Sequence, residues 1–234
     1  TCTTNKLYED GSIYLAGCSV GIDTKEYTYG VSKIPTPVSF KDDSWETIKA
    51  NVKAGNLSAY KVGDTKEVAI TGYTNGEADS NGLYTVRIAN ASTPEECNQA
   101  GFSQSACGFV IEFVDIITEH NMNPSGTNVG GWPASDMYKF LNDTTDSTIT
   151  SIYESLPEDL QKVIEPTKVV SSHGSSDSTN FTSTDKLYLL STKEVWGKEG
   201  TSNVVSYDTA EVETRQLDYY KDYKNSNGSI GVTT

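Results

Sequence analysis

His120 and His173 are the only histidines in this chain, and a histidine beside a carboxylate is a common acid–base pair near neutral pH. His120 follows Asp115 and Glu119 at the end of the most apolar run in the sequence, so a carboxylate–histidine pair at a strand terminus is one candidate. His173 lies in Ser171-Ser172-His173-Gly174-Ser175-Ser176, a loop to which the fold would have to bring a partner. The G-x-S-x-G elbow that exposes a nucleophilic serine is absent. The preferred reading is therefore two surface or hydrogen-bonded loop histidines, with no catalytic residue named.

Carboxylates are the next resource. Glycoside hydrolysis needs two of them at a set separation across a sugar. Glu112 with Asp115, Glu158 with Asp159 and Glu211 with Glu213 are closely spaced pairs among 32 acids, and nothing in the pattern selects one of them. A hydrolase would need Glu112, Asp115 or His120 in a cleft. Calcium suits acidic, Asn-rich loops better, because a hard cation wants several oxygens. Asp218, Asp222 and Asn225, in the tail from Asp218 to Gly228, are the candidate calcium ligands, although their spacing is not that of an EF-hand loop.

Cys2 and Cys18 form one local cysteine set, and Cys97 and Cys107 another. Neither has the C-x2-C spacing of a zinc knuckle, and only two histidines exist to complete a metal site. Two short-range disulfides in an exported protein are expected, with four buried thiols as the competing reading. The chain opens on Thr1 without Met or a signal-peptide pattern, so any targeting or anchoring segment is expected to have been removed or left out.

The chain has 234 residues and a net charge of −14. Arg occurs only at Arg87 and Arg215, while Ser and Thr supply nearly a quarter of the positions. So acidic a surface cannot neutralise phosphates, which excludes nucleic acid as a partner. No apolar run reaches the ~18–20 residues that span a bilayer. Fourteen Tyr and three Trp, among Asn and Ser, suit a surface that recognises other molecules with little loss of side-chain freedom.

The elements that would position these residues follow from pattern. Residues 1–38 read as a β-rich N-terminal segment, with Ile13-Tyr14-Leu15 and Tyr27-Thr28-Tyr29 as strands, closed by Ile34-Pro35-Thr36-Pro37. Residues 39–234 read as one α+β domain. Ser44 caps a helix that turns Trp45, Ile48 and Val52 to one face and ends at Gly55. Glu67–Ile70 and Leu83–Ile88 alternate as strands around the turns Thr74-Asn75-Gly76 and Ser80-Asn81-Gly82. Gly108–Ile117 is expected as a buried central strand or strand pair. Short helices are expected over Ala134–Leu141, after a capping box at Ser155–Glu158, after a second at Ser191–Glu194, and over Thr209–Tyr220. Lys186–Leu190 is expected as a strand, and 142–151, 171–185 and 197–206 as loops. Strands and helices alternate without βαβ regularity, which argues α+β with mixed or antiparallel sheets and short helices.

From Trp45 onward the sequence resembles a domain family of unassigned function in secreted and surface proteins of gut Gram-positive bacteria. The residues that carry the resemblance are Tyr60-Lys61-Val62-Gly63-Asp64, Gly130-Gly131-Trp132-Pro133-Ala134-Ser135 with Tyr138-Lys139-Phe140-Leu141-Asn142, Leu156-Pro157-Glu158-Asp159-Leu160, Asp185 to Trp196, and Thr214 to Tyr220. The resemblance implies a C-type-lectin-like fold and names no catalytic residue. It also implies that closing strands rich in Trp and Arg follow the Tyr219-Tyr220 block, and these are not found before Thr234.

The expected function is an extracellular, cell-surface binding or adhesion module that recognises glycan or protein. The alternative is the globular head of a pilin-like subunit that assembles into a filament. A glycan-acting hydrolase is a third reading.

Overall fold

The computed structural model describes residues 34–72, 82–146, 148, 150–174, 176–197 and 212–222, together with the backbone of two short strands near the N-terminus. The chain divides into two compact units, Thr1–Thr36 and Pro37–Thr234. In the first, β1 (Lys6–Leu7) pairs antiparallel with β2 (Ile13–Tyr14). The Tyr27–Tyr29 stretch lies outside the described residues.

The second unit is an α+β fold of antiparallel sheets and short helices. Its first helix, α1 (Trp45–Lys53), starts where a serine can accept a bond from an orphan N–H. Ser44 Oγ takes the Thr47 amide at 3.2 Å. Trp45 and Ile48 are buried, and Gly55 takes φ +71° as the turn closes.

The main sheet has the order β3 (Thr65–Ile70), β4 (Gly82–Asn90), β5 (Val110–Phe113), all antiparallel. Strand periodicity gives it two distinct faces. Val68 lies opposite Tyr84, Val86 opposite Phe113 and Ile88 opposite Ile111, and this face enters one core cluster with Phe40, Trp45, Phe140, Ile152 and Leu160. Phe40 holds the cluster together by edge-on contacts with Trp45, Tyr60 and Phe109, with ring centroids 5.8, 6.5 and 6.2 Å apart. The opposite face carries Arg87, Ala89, Val110 and Glu112. Ala89 and Val110 join a second, smaller cluster with Ala106, Val195, Leu217 and Tyr220.

The helical pieces are α2 (Gly131–Ala134), α3 (Asp136–Asn142), α4 (Ile152–Ser155), α5 (Glu158–Gln161), α6 (Thr192–Trp196) and α7 (Asp218–Asp222). Ser191 and Glu194 form the expected capping box of α6. The other expected box is displaced. Ser151 and Glu154 form it at the start of α4, and Ser155 instead ends α4 with its hydroxyl on the Ser151 carbonyl. Pro157 caps α5 without a side-chain bond, since it lacks the hydroxyl that a box requires.

Four further expectations are corrected. Only Val110–Phe113 of the apolar run is a strand, and it lies at the sheet edge with all four residues half-buried rather than at the centre. Lys186–Leu190 joins no ladder, because the Asn142 side chain stands in for a strand partner. Its Oδ1 accepts from the Lys186 and Leu187 amides at 3.2 and 2.9 Å, and its Nδ2 donates to the Leu187 carbonyl at 2.8 Å. The stretch 171–185 is not all loop. β6 (Thr167–Ser171) pairs antiparallel with β7 (Phe181–Asp185), which the polar Thr/Ser alternation conceals. Of the helix expected over Thr209–Tyr220, the described part, Val212–Leu217, is non-helical, and α7 begins only at Asp218.

Candidate functional site

A cleft of about 560 Å³ opens beside β5. One wall is β5 and the residues after it, through Thr118. The floor includes the buried Ile48, Phe140, Ile152 and Leu160 with Met137, and Leu187–Leu190 also line the cleft. Alternate residues of β5 point to opposite faces, yet Val110, Ile111, Glu112 and Phe113 all border the cleft. It therefore meets the strand along its backbone edge. Two large apolar side chains stand at the mouth, Ile116 at 78% exposure and Leu189 at 48%.

The charged groups around the cleft are largely engaged with one another. Lys49 Nζ lies 2.7 Å from Glu165 Oε1 and Lys53 Nζ 3.3 Å from it, and hydrogen bonds from these lysines hold the Glu165 carboxyl below its ordinary value. Lys186 Nζ donates to the Ile164 carbonyl. Asp115 is exposed at the mouth.

Glu112 is not available as a free acid. Arg87 Nε donates to its Oε1 at 2.7 Å, and the Tyr220 hydroxyl donates to its Oε2 at 3.0 Å. The Arg87 guanidinium also stacks 3.9 Å above the Tyr219 ring. Burial, reinforced by Glu112, pushes the Tyr220 hydroxyl up to about 12. Burial works against the charge on Arg87, but Glu112 more than offsets it and raises that group.

Asp218 is committed in the same way. Its Oδ1 receives Arg215 at 2.7 Å, and its Oδ2 receives the Ser92 and Ala91 amides at 3.1 and 3.3 Å. Burial would raise this carboxyl, yet the hydrogen bonds from Ser92, Arg215 and Ala91 hold it down to about 2. The side chain of Asp222, and Asn225 altogether, lie outside the described residues. Among the described residues, no three of His, Cys, Asp and Glu gather as a metal site would require.

The carboxylate brought to His120 is Asp136, with Oδ2 3.9 Å from Nε2, and not Asp115 or Glu119. The ring stacks on Phe140 at 4.2 Å, and Nδ1 lies 2.7 Å from the Asn121 carbonyl. His173 lies apart in the β6–β7 connection, where its amide donates to Asn180 Oδ1 at 3.2 Å. Glu158 pairs with Lys162 one turn on, at 2.6 Å. Glu211 lies outside the described residues, and Glu213 is exposed. Cys97 and Cys107 form a disulfide, and Cys107 borders the cleft; Cys2 and Cys18 lie outside the described residues.

Two buried acids were missed at the level of sequence. Glu194, besides capping α6, accepts from the Ser105 hydroxyl and from Thr214 Oγ1 at 2.8 Å, and burial raises its carboxyl. Asp185 takes the Trp132 indole N–H at 2.8 Å and Ser183 Oγ at 2.9 Å, and burial raises it as well. Only the capping box gave a signal for Glu194. For Asp185, the partner is 53 residues distant and no local pattern exists.

Residues 110–231 match the family described as a domain of unknown function, DUF6273. The chain belongs to this family. The match starts at the first residue of β5 and therefore takes in the edge strand, the helical floor after it and Leu187–Leu190. The stretch 45–109, which the resemblance also included, lies outside the matched residues. No curated protein and no solved structure matches the chain.

Proposed function

We propose that this domain is an extracellular binding module that recognises a protein partner through the apolar cleft beside β5. The observation that carries the proposal is the cleft itself: about 560 Å³, floored by Ile48, Phe140 and Leu160, with Ile116 and Leu189 exposed at its mouth. Such apolar side chains are kept in water only at a free-energy cost, and covering them favours association. A glycan, by contrast, needs a dense set of free hydrogen-bonding groups, and here Glu112, Glu165, Lys49 and Lys186 are already paired. Of the glycan and protein ligands expected from the sequence, protein is the better fit.

The Cys97–Cys107 disulfide supports a setting outside the reducing cytosol. The resemblance to surface-protein domains of Gram-positive bacteria, with its lectin-like layout, supports an adhesive role on a cell surface.

The test is selection of peptides displayed on phage against the immobilised protein, with the Ile116→Glu, Leu189→Lys double variant as counter-target. Both positions are exposed enough to accept charge without unfolding. Enriched peptides should bind the double variant at least tenfold more weakly. Peptides that bind both proteins alike would overturn the assignment of the cleft.

A further inference from the structure

We propose that the cleft takes its partner as a β-strand: a neutral or basic extended segment of another polypeptide that pairs with the free edge of β5. This rests on the binding reading above and specifies its ligand.

The backbone argues for a strand. Among the described residues β5 pairs with β4 along one edge only, and its other edge borders the cleft. A free edge presents a row of amide and carbonyl groups spaced for another strand. Proteins that leave such an edge bare protect it with lysines, proline or a bulge that bends it away. β5 reads Val-Ile-Glu-Phe without lysine or proline, the irregularity in its ladder lies between Ile88 and Asn90 of β4, and its one charge, Glu112, is held by Arg87 and Tyr220.

Tyr188–Leu190 borders the same cleft without joining a ladder, and Asn142 occupies only the backbone up to Leu187. A strand laid along β5 would extend the β3–β4–β5 sheet by one member. Its residues on the Ile111 and Phe113 face would enter the apolar floor, and the residues between them would turn away. The expected sequence is thus apolar at every second position and free of proline, as in other complexes made by strand addition.

Charge decides between a second copy and a different protein. The chain carries −14, so two copies repel one another as a whole where a neutral or basic strand does not, while the cleft lining itself balances Lys49, Lys53 and Lys186 against Glu112, Asp115 and Glu165.

The probe is a nine-residue peptide of alternating valine and threonine with a lysine at each end, titrated into the isotope-labelled protein. On saturation, amide hydrogen exchange at Ile111 and Phe113, whose N–H groups point away from β4 in this register, should slow at least tenfold. N-methylating every second residue, which removes one edge's donors, should weaken binding at least tenfold, and raising salt should weaken it further. If the methylated peptide binds equally well and exchange is unchanged, the strand mode is wrong while the cleft remains a binding site. If the peptide does not bind although displayed peptides do so at the cleft, the alternating pattern is wrong. If no peptide binds at all, the binding reading itself falls. Sedimentation showing concentration-dependent self-association that Ile116→Glu abolishes would make a second copy the occupant and overturn the proposal.

Discussion

The Tyr220 hydroxyl donates to Glu112 Oε2 at 3.0 Å while accepting from Arg87 at 3.1 Å, so a single phenol joins α7 to the edge strand of the cleft. The arrangement fixes β5 from its outer face and leaves its inner face and free edge to the cleft. Side-chain exposures of 14% for Arg87 and 12% for Glu112 make the pair sensitive to loss of either partner.

Arg87→Ala should therefore cost about 3–5 kcal/mol, since it strands the Glu112 carboxylate in a desolvated place. Tyr220→Phe removes one hydrogen bond to a charged group and should cost about 1.5–3 kcal/mol. Because the three groups share one network, the double variant should cost less than the sum. Urea unfolding of the two singles and the double checks this, and strict additivity would contradict a shared network.

Two acids give opposite pH signatures. Burial raises the folded-state pKa of Glu194, so its contribution to stability is complete below the unfolded value of about 4.3 and is lost as pH rises through the folded one. Hydrogen bonds hold Asp218 at about 2, so its contribution is complete above the unfolded value of about 3.9 and disappears as pH falls toward 2. In stability-against-pH curves, Glu194→Gln should change the limb above about pH 4.3, and Asp218→Asn the limb below about pH 3.9. Variant curves parallel to the parent would contradict both assignments.

Two glycines should respond differently to alanine. At Gly131, φ is +58° and an added Cβ would lie 2.4 Å from the Phe181 ring, so strain and overpacking combine. A loss of about 2–4 kcal/mol is expected. At Gly55, φ is +71° but nothing lies within 4 Å, so only the backbone cost of about 1–2 kcal/mol remains. Equal losses in thermal unfolding would contradict the contact with Phe181.

The Cys97–Cys107 bridge closes a short loop, with a sequence separation of 10, and should contribute about 3 kcal/mol by restricting the unfolded chain. Reduction should lower the unfolding midpoint accordingly, and replacing both cysteines with serine should reproduce the loss. An unchanged midpoint would contradict a stabilising role.

Local signals in the sequence survived folding where their physics is local. Ser44 and Ser191 cap their helices because a hydroxyl one residue before a helix can reach only the orphan amides beside it. The periodicity of Trp45 and Ile48, and the alternation of Val86 and Ile88, predicted which side chains are buried. Long-range competition was not legible. Lys186–Leu190 has strand composition, but Asn142, more than forty residues earlier, takes its first backbone groups. The run from Val110 to Ile117 is apolar enough for a core interior, and apolarity alone does not distinguish a buried strand from an edge beside an open cleft. Glu112 could not be told from a catalytic acid without knowing that Arg87 and Tyr220 lie against it.

Whether the cleft beside β5 is the binding face is decided by calorimetric titration of a selected peptide into three proteins. They are the parent, Ile116→Glu at the cleft mouth, and Leu83→Glu, which alters an exposed apolar side chain that does not line the cleft. Binding to Ile116→Glu should be at least tenfold weaker, and binding to Leu83→Glu unchanged. Equal losses in both, or none in either, would contradict it.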